Sequence, residues 1–275
     1  MRGVEELRDA LRWLPSPLGL VPTMGALHRG HLSLVAAARA AEKTVVASIF
    51  VNPLQFGPTE DLDRYPRSFD SDVAALEAAG VDVVFAPDVA GMYPDGFGTA
   101  VDPGAVGERY EGALRPGHFR GVATVCSKLF HVVAPARAYF GQKDGQQTAV
   151  LRRILDDLAF PTELVVLPTV RDPDGLALSS RNVYLTPEQR AAAPALHRAL
   201  LAIADAVRSG ETDRDRAVAR GRAQLVNETR EAYLDIVDPR TFAPAAKALP
   251  GQLAIGSVYL GQTRILDNEP IEAAA

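Results

Sequence analysis

The chain has 275 residues and one cysteine, Cys126, and a single thiol cannot make an internal disulfide. That usage fits a reducing compartment, so a cytoplasmic location is the expectation. No stretch reaches the ~18 uninterrupted apolar residues a membrane helix needs, and no membrane association is expected. The opening MRGVEELRDALRW carries acids and arginines throughout and lacks the apolar centre of a secretory leader. Runs of positive charge are missing too: Arg152-Arg153 is soon followed by Asp156-Asp157, and the formal net charge is −5. A protein gripping nucleic-acid phosphates would show a basic stripe, so no nucleic-acid partner is expected. Small anionic ligands stay open, because a local pocket can be positive on an acidic protein. There is no internal repeat, and low complexity is confined to the short EAAA tail.

What is present is ordinary globular composition, 47% hydrophobic and 23% charged, enough to bury a real core. At roughly 100–200 residues per domain, the length allows one large domain or two modest ones. Val4, Leu7, Leu11 and Leu14 recur at helical spacing, so residues 3–13 read as an amphipathic helix. LGLVPT follows as a strand, alanine-rich HLSLVAAARAAEK as a helix, and β-branched TVVASIFVN as a buried strand. SFDSDVAALEAAG has Ser and Asp near its start and Gly80 at its end, as helices do. VDVVFAP, AYFG and ELVVLPTV read as further strands, with GVATVCSKLFHVV and QQTAVLRRILDDL as helices. Strand and helix alternating through short links predict a doubly wound α/β fold, a parallel sheet covered on both faces.

The pattern changes after RDPDGLALSSRN. Residues 187–209 and 211–228 read as two long helices, the first capped by Thr186 with Pro187 at its first position. EAYLDIVDP and LAIGSVYLGQTRILDN alternate like antiparallel strands. A boundary near residue 170 is expected, between an α/β domain over 1–170 and a smaller C-terminal α+β domain over 171–275.

Ligands of doubly wound sheets bind beyond the carboxyl ends of the strands, so the residues just after each strand are the ones to inspect. They are Pro22-Thr23-Met24-Gly25 with His28 and His31, then Asn52 and Gln55, then Gly141, Lys143, Asp144 and Gln147. The interdomain link adds Ser179, Ser180 and Arg181. Gly25 lets backbone pass close to a ligand, and a helix start offers N–H groups and a positive dipole end that suit phosphate. His28 and His31, three apart, share a helical face and can donate to phosphoryl oxygens. The same pair also reads as structural histidines or as a metal pair, the latter weakened by the lack of a clear third ligand nearby. Lys143-Asp144 also reads as a surface ion pair, and LSSRN as a simple capped turn. Cys126, mid-helix among apolar neighbours, reads as core; His118, His131 and His197 read as structural or exposed. Asp72, Tyr65 and Arg115 fall in or near the strand-end segments.

PTMGALHRGH resembles the HxGH signature of nucleotidyl transferases related to class I aminoacyl-tRNA synthetases. With SIFVNPLQF, HFRGVATVCSKLF, YFGQKDGQQ and DGLALSSRN in order, residues from about 20 to 210 resemble the pantoate–β-alanine ligase (pantothenate synthetase) family. The resemblance implies a Rossmann-like first domain binding ATP and pantoate, and a C-terminal lid. It implies AMP-forming condensation of (R)-pantoate with β-alanine through a pantoyl adenylate, with Mg²⁺ on the ATP and no protein-built metal site, in a homodimer. Carried over residue by residue, Met24, Gly25, Ala26, Leu27, His28, Arg29, Gly30 and His31 would hold ATP. Gly141, Gln142, Lys143, Asp144, Val170, Leu178, Ser179, Ser180 and Arg181 would complete the nucleotide site. His31, His28, Lys143 and Arg181 would be catalytic, and Gln55, Gln147 and Asn52 would meet pantoate or β-alanine.

Chemistry points the same way. Phosphoryl displacement needs positioning and charge stabilisation, and Lys143 and Arg181 supply a mobile cation and a forked one. Neutral amides suit a hydroxylated acid, whereas a nucleotidylyltransferase acting on a phosphate would call for a basic acceptor pocket. A sensor that binds ATP without turnover would be expected to have lost His31 or Lys143. Two departures stand out: Gly145 where the family usually has an aromatic residue, and Gln142 where glutamate is common. The first could loosen packing behind Gln147; the second removes a negative charge beside the phosphates.

Overall fold

The computed structural model describes residues 1–58 and 60–273. They form two compact units, Met1–Gly141 with Val150–Leu167, and Gln142–Ala149 with Pro168–Ala275. The segment 142–149 thus groups with the C-terminal residues, although the chain on both sides of it belongs to the first unit.

The first unit is built on strands β1 (Leu18–Thr23), β2 (Thr44–Ile49), β3 (Val83–Phe85), β4 (Arg137–Gly141) and β5 (Glu163–Leu167). They pair in parallel in the order β3-β2-β1-β4-β5, the doubly wound sheet that the alternating pattern implies. Around it run α1 (Val4–Leu11), α2 (Arg29–Ala41), α3 (Phe69–Ala78), the single turns α4 (Val89–Met92) and α5 (Glu111–Leu114), α6 (His118–Val133) and the later part of α7 (Gly145–Asp157). β1 and β2 are apolar on both faces, with Leu20, Val21, Val45, Val46 and Ala47 wholly buried, as parallel strands under helices must be. Leu34, Val35 and Ala38 make the buried stripe of α2. The strand order reverses between β1 and β4, so the residues after β1 stand at the switch point where such sheets bind ligands.

The second unit carries α8 (Pro187–Ala192), α9 (Ala195–Arg208), α10 (Arg214–Arg222) and the antiparallel sheet β6-β7-β8 (Thr229–Val237, Leu253–Leu260, Thr263–Pro270). Thr186 caps α8 through a reciprocal box with Gln189, as its sequence signals imply. Leu196, Leu200 and Ile203 of α9 share a core with Ile236, Ala254 and Val258 of the sheet.

Several boundaries differ from the sequence reading for identifiable reasons. The helix expected over 187–209 is two, because Pro194 has no N–H to continue the ladder. The one expected over 211–228 runs only from Arg214 to Arg222, capped by the Asp213 carboxylate on the Arg216 N–H. α6 begins at His118, three residues before the expected Gly121, after Gly117 at φ 84°. His28 is not inside α2 but is its N-cap.

Candidate active site

The loop after β1 is fixed before any ligand is considered. Gly25 (φ 81°) and Ala26 (φ 50°) are both left-handed, and for alanine that costs roughly 1–2 kcal/mol. Asp72 of α3, 3% exposed, offsets the cost. Its two carboxylate oxygens accept the Ala26 and Leu27 N–H groups, each at 2.9 Å, and the Ser68 hydroxyl donates to it at 3.1 Å. A Cβ on Gly25 would lie 3.0 Å from the Asp72 carboxylate, so glycine permits this close clasp.

At the start of α2, His28 Nδ1 accepts the Gly30 N–H at 3.1 Å, and His31 Nδ1 accepts the His28 N–H at 3.3 Å. This is a capping box with imidazoles in place of the usual hydroxyl and carboxylate. The two rings lie 4.1 Å apart between centroids. With Nδ1 accepting in each, the neutral rings carry their proton on Nε2, the donor tautomer.

After β2, Asn52 closes the 3₁₀ turn Pro53–Gln55. Its amide donates to Gln55 Oε1 (3.0 Å) and the Gly121 carbonyl (3.1 Å), and its oxygen accepts from Leu54 N–H (3.2 Å) and the Tyr93 hydroxyl (2.8 Å). All four bonds a carboxamide can readily make are used within the protein. Gln55 Nε2 meets Met24 Sδ at 3.2 Å, which joins this turn to the loop after β1.

The Gln55 carbonyl accepts His118 Nδ1 at 2.8 Å and Arg115 Nη2 at 3.3 Å, while Arg115 Nη1 donates to His118 Nε2 at 3.1 Å. Arg115 also grips Glu60 with two nitrogens, at 2.7 and 2.6 Å. Burial, then the Arg115 charge, pulls the His118 pKa down to about 4, so the ring is neutral with its proton on Nδ1. For Glu60, burial acts to raise the pKa, but the Arg115 bonds outweigh it and hold the carboxyl below its ordinary range. Gly121, one turn along α6, has no room for a side chain: a Cβ would overlap the Leu54 carbonyl and sit 2.6 Å from Gln55 N. The HFRG stretch is therefore the seat of the Gln55 turn.

Around this seat, Lys128 Nζ stands 4.7 Å over the Phe97 ring and 5.6 Å over Tyr93. Burial raises the Tyr93 phenol above its ordinary value and pushes the Cys126 thiol up to about 12, as expected of core groups.

The second unit holds the other residues singled out in the sequence. Gln142, Lys143 and Asp144 form a 3₁₀ turn that runs into α7, with Lys143 Nζ 3.2 Å from Asp144 Oδ1. Gln147 is half-buried on the first turn of α7. Leu178 N–H donates to the Val170 carbonyl at 3.0 Å, closing the 170–178 segment on itself. Ser179 caps the 3₁₀ turn Ser180–Tyr184 by accepting the Arg181 N–H at 3.2 Å, so LSSRN is locally a capped turn.

The structure thus gathers Met24, Gly25, His28, His31, Asn52 and Gln55 in the first unit, where Gly141 ends β4. It gathers Gln142, Lys143, Asp144, Gln147, Val170 and Leu178–Arg181 in the second. Sequence reasoning passed over Glu60 and Gly121, read His118 as structural or exposed, and placed Asp72 and Arg115 in or near the strand-end segments without giving them partners. A readable signal was the glycine three residues after His118, which puts both on one face of an otherwise apolar helix.

A family model described as Pantoate-beta-alanine ligase matches residues 1–270. The chain belongs to that family. A pantothenate synthetase of Roseiflexus sp. (strain RS-1) is 53% identical over 272 residues, covering 98% of each chain. The crystal structure of pantothenate synthetase from Thermus thermophilus superposes with a TM-score of 0.94 at 51% identity, covering 99% of both chains. A pantoate–β-alanine ligase from Francisella tularensis, complexed with β-γ ATP and β-alanine, matches at TM-score 0.80 and 30% identity over 98% of this chain and 97% of that one. The chain is accordingly a pantoate–β-alanine ligase by family, with the fold of solved pantothenate synthetases. No helix among the described residues is long and apolar enough to cross a membrane.

Proposed function

We propose that the chain joins (R)-pantoate to β-alanine in two steps, through pantoyl adenylate. In the first, the pantoate carboxylate attacks the α-phosphorus of ATP and pyrophosphate leaves. In the second, the neutral amine of β-alanine attacks the acyl carbon, the acyl–oxygen bond to phosphate breaks, and AMP departs. The observation that carries this reading is the imidazole capping box at the mouth of α2, in which His28 Nδ1 accepts the Gly30 N–H and His31 Nδ1 accepts the His28 N–H, an arrangement that leaves Nε2 as the donor atom of a neutral ring. Two preset donors beside a helix N-terminus at a topological switch point suit a polyphosphate whose charge grows during displacement.

In this reading Met24 to His31 bind the nucleotide, with His31 donating to the developing charge and His28 supporting it. Lys143 and Arg181 neutralise the triphosphate, and Gly141, Gln142, Asp144, Val170, Leu178, Ser179 and Ser180 complete its binding. Gln55 and Gln147 orient pantoate, and Asn52 acts through Gln55, whose oxygen it holds. Among the described residues no group of three or more His, Cys, Asp or Glu gathers as a metal cage. Mg²⁺ on the triphosphate would keep phosphate oxygens and water in its shell and would withdraw charge from the phosphates. A cytoplasmic homodimer completes the proposal.

The test is isotope exchange of pyrophosphate into ATP. Exchange is expected to need pantoate and not β-alanine; exchange indifferent to pantoate would reject the adenylate route.

A further inference from the structure

We propose that Asn268, on β8, is a positioning residue for Lys143. The proposal rests on the nucleotide role given to Lys143 above. Asn268 is 3% exposed, and its whole carboxamide is directed at the Lys143 turn. Nδ2 donates to the carbonyls of Gln142 and Lys143, both at 2.8 Å, and Oδ1 accepts Gln142 Nε2 at 2.7 Å. Three bonds from one side chain thus land on two consecutive residues. The backbone of Asn268 is held in turn, because its N–H donates at 2.8 Å to Asp267 Oδ1, which is paired with Arg171.

A lysine carries its charge on a flexible four-carbon stem, so the reach of the ammonium is set by where the backbone places Cα. A misplacement of ~1 Å at a phosphoryl-transfer site costs on the order of 10²-fold in rate. Fixing the carbonyls on either side of the Lys143 Cα is the direct way to prevent it.

Gly145 and Gln142 meet on this side chain. A Cβ at Gly145 would lie 3.0 Å from Asn268 Nδ2 and 3.1 Å from Leu253 Cδ2, so the carboxamide and Leu253 crowd the space a side chain there would need. Gln142 presents an N–H donor to Asn268 Oδ1, which leaves Nδ2 turned toward the two carbonyls. A glutamate at 142 would offer only acceptors and would set that orientation against itself. Gly145 and Gln142 are thus matched to each other through Asn268, and the space behind Gly145 is filled.

The experiment is a double-mutant cycle of Asn268→Ala and Lys143→Ala, read by pantoate-dependent pyrophosphate exchange with thermal unfolding alongside. Asn268→Ala is expected to lower kcat/KM for ATP by ~10- to 100-fold while the KM for pantoate stays put. In the Lys143→Ala background the same change should cost less than about twofold, the usual limit of additivity. Asn268→Asp, of equal size but without the donors, should behave like Asn268→Ala and serves if the alanine variant fails to fold. An equal loss with and without Lys143 overturns the proposal, as does normal ATP use by a folded Asn268 variant beside a crippled Lys143→Ala. Full turnover by Lys143→Ala would instead sink the nucleotide reading of Lys143, and the proposal with it.

Discussion

The parallel sheet of the first unit has a buried polar cluster at each end, and the two do different things. At the amino end, Glu42 Oε1 accepts the Tyr139 hydroxyl at 2.6 Å and Arg137 Nη1 at 2.7 Å, and Arg137 reaches on to Glu163 at 3.0 Å. Every partner there is the side chain of a strand or of the residue closing α2. At the carboxyl end, Asn52 accepts the Leu54 N–H and Arg115 and His118 donate to the Gln55 main-chain carbonyl, so three side chains converge on the backbone of a three-residue turn, with further bonds to Gly121, Tyr93 and Glu60 behind it. Each cluster is built round a buried group and carries an ion pair, and both shift titrations: burial and Glu42 push Tyr139 up to about 12, while burial and Arg115 pull His118 down to about 4. A displaced pKa therefore does not by itself mark a working site. What distinguishes the two ends is the object held: strands to each other in one, a turn carrying a candidate substrate amide in the other.

Mutations at the two ends should separate activity from stability. The largest effect is expected at the carboxyl end, where His31→Ala should lower kcat by ~10²- to 10³-fold, the scale of one lost charge-stabilising donor. Steady-state turnover checks this, and a near-normal rate in a folded variant removes His31 from the chemistry.

Next comes acid sensitivity. The folded pKa of His118 lies below the unfolded value of 6.5, so the unfolded state binds the extra proton. Its stabilising contribution is full above pH 6.5 and lost as pH falls toward 4. Between pH 7 and pH 5 the loss is about 2 kcal/mol. Arg115, Glu60 and Glu111 are the charged groups that act on the ring. Urea unfolding at the two pH values should show that drop in the parent and in Glu42→Gln, and a flatter response in His118→Gln. An unchanged slope in His118→Gln would mean the ring is not held neutral.

Glu42→Gln itself is expected to cost about 1.5–3 kcal/mol of stability, the range for bonds made to a charged partner, with kcat/KM unaltered below the melting transition. A large activity loss in that variant would erase the distinction between the two ends. The smallest effect belongs to Cys126, buried with its thiol pushed up to about 12. Iodoacetamide should label it only on unfolding, and alkylation of the native enzyme would contradict its place in the core.

Much of the fold was legible because the signals are local. β-branched runs of four to six residues mark strands, and an alanine-rich stretch or a Thr-Pro pair marks a helix or its start. Likewise the loops after β1 and β2 could be picked out by the rule that ligands sit beyond strand ends. What escaped is what acts over distance. Asp72 clasps Ala26 and Leu27 from 46 and 45 positions away, and His118 reaches Gln55 from 63. No spacing pattern encodes such pairings in a single sequence. Segment 142–149 looked like the first domain because its neighbours are, whereas its partners Leu253 and Asn268 come near the end of the chain.

The Asn268 clamp also sets an order of events during synthesis. Gln142 and Asn268 are 126 positions apart, so at ~5–20 residues per second the ribosome makes the lysine turn roughly 6–25 s before the strand that secures it. A nascent chain stalled between β5 and β8, or a finished one clipped by a protease ahead of β8, keeps every strand of the parallel sheet but lacks Asn268 beside its lysine turn. Truncation ahead of β8 should therefore weaken ATP use at least as far as Asn268→Ala does.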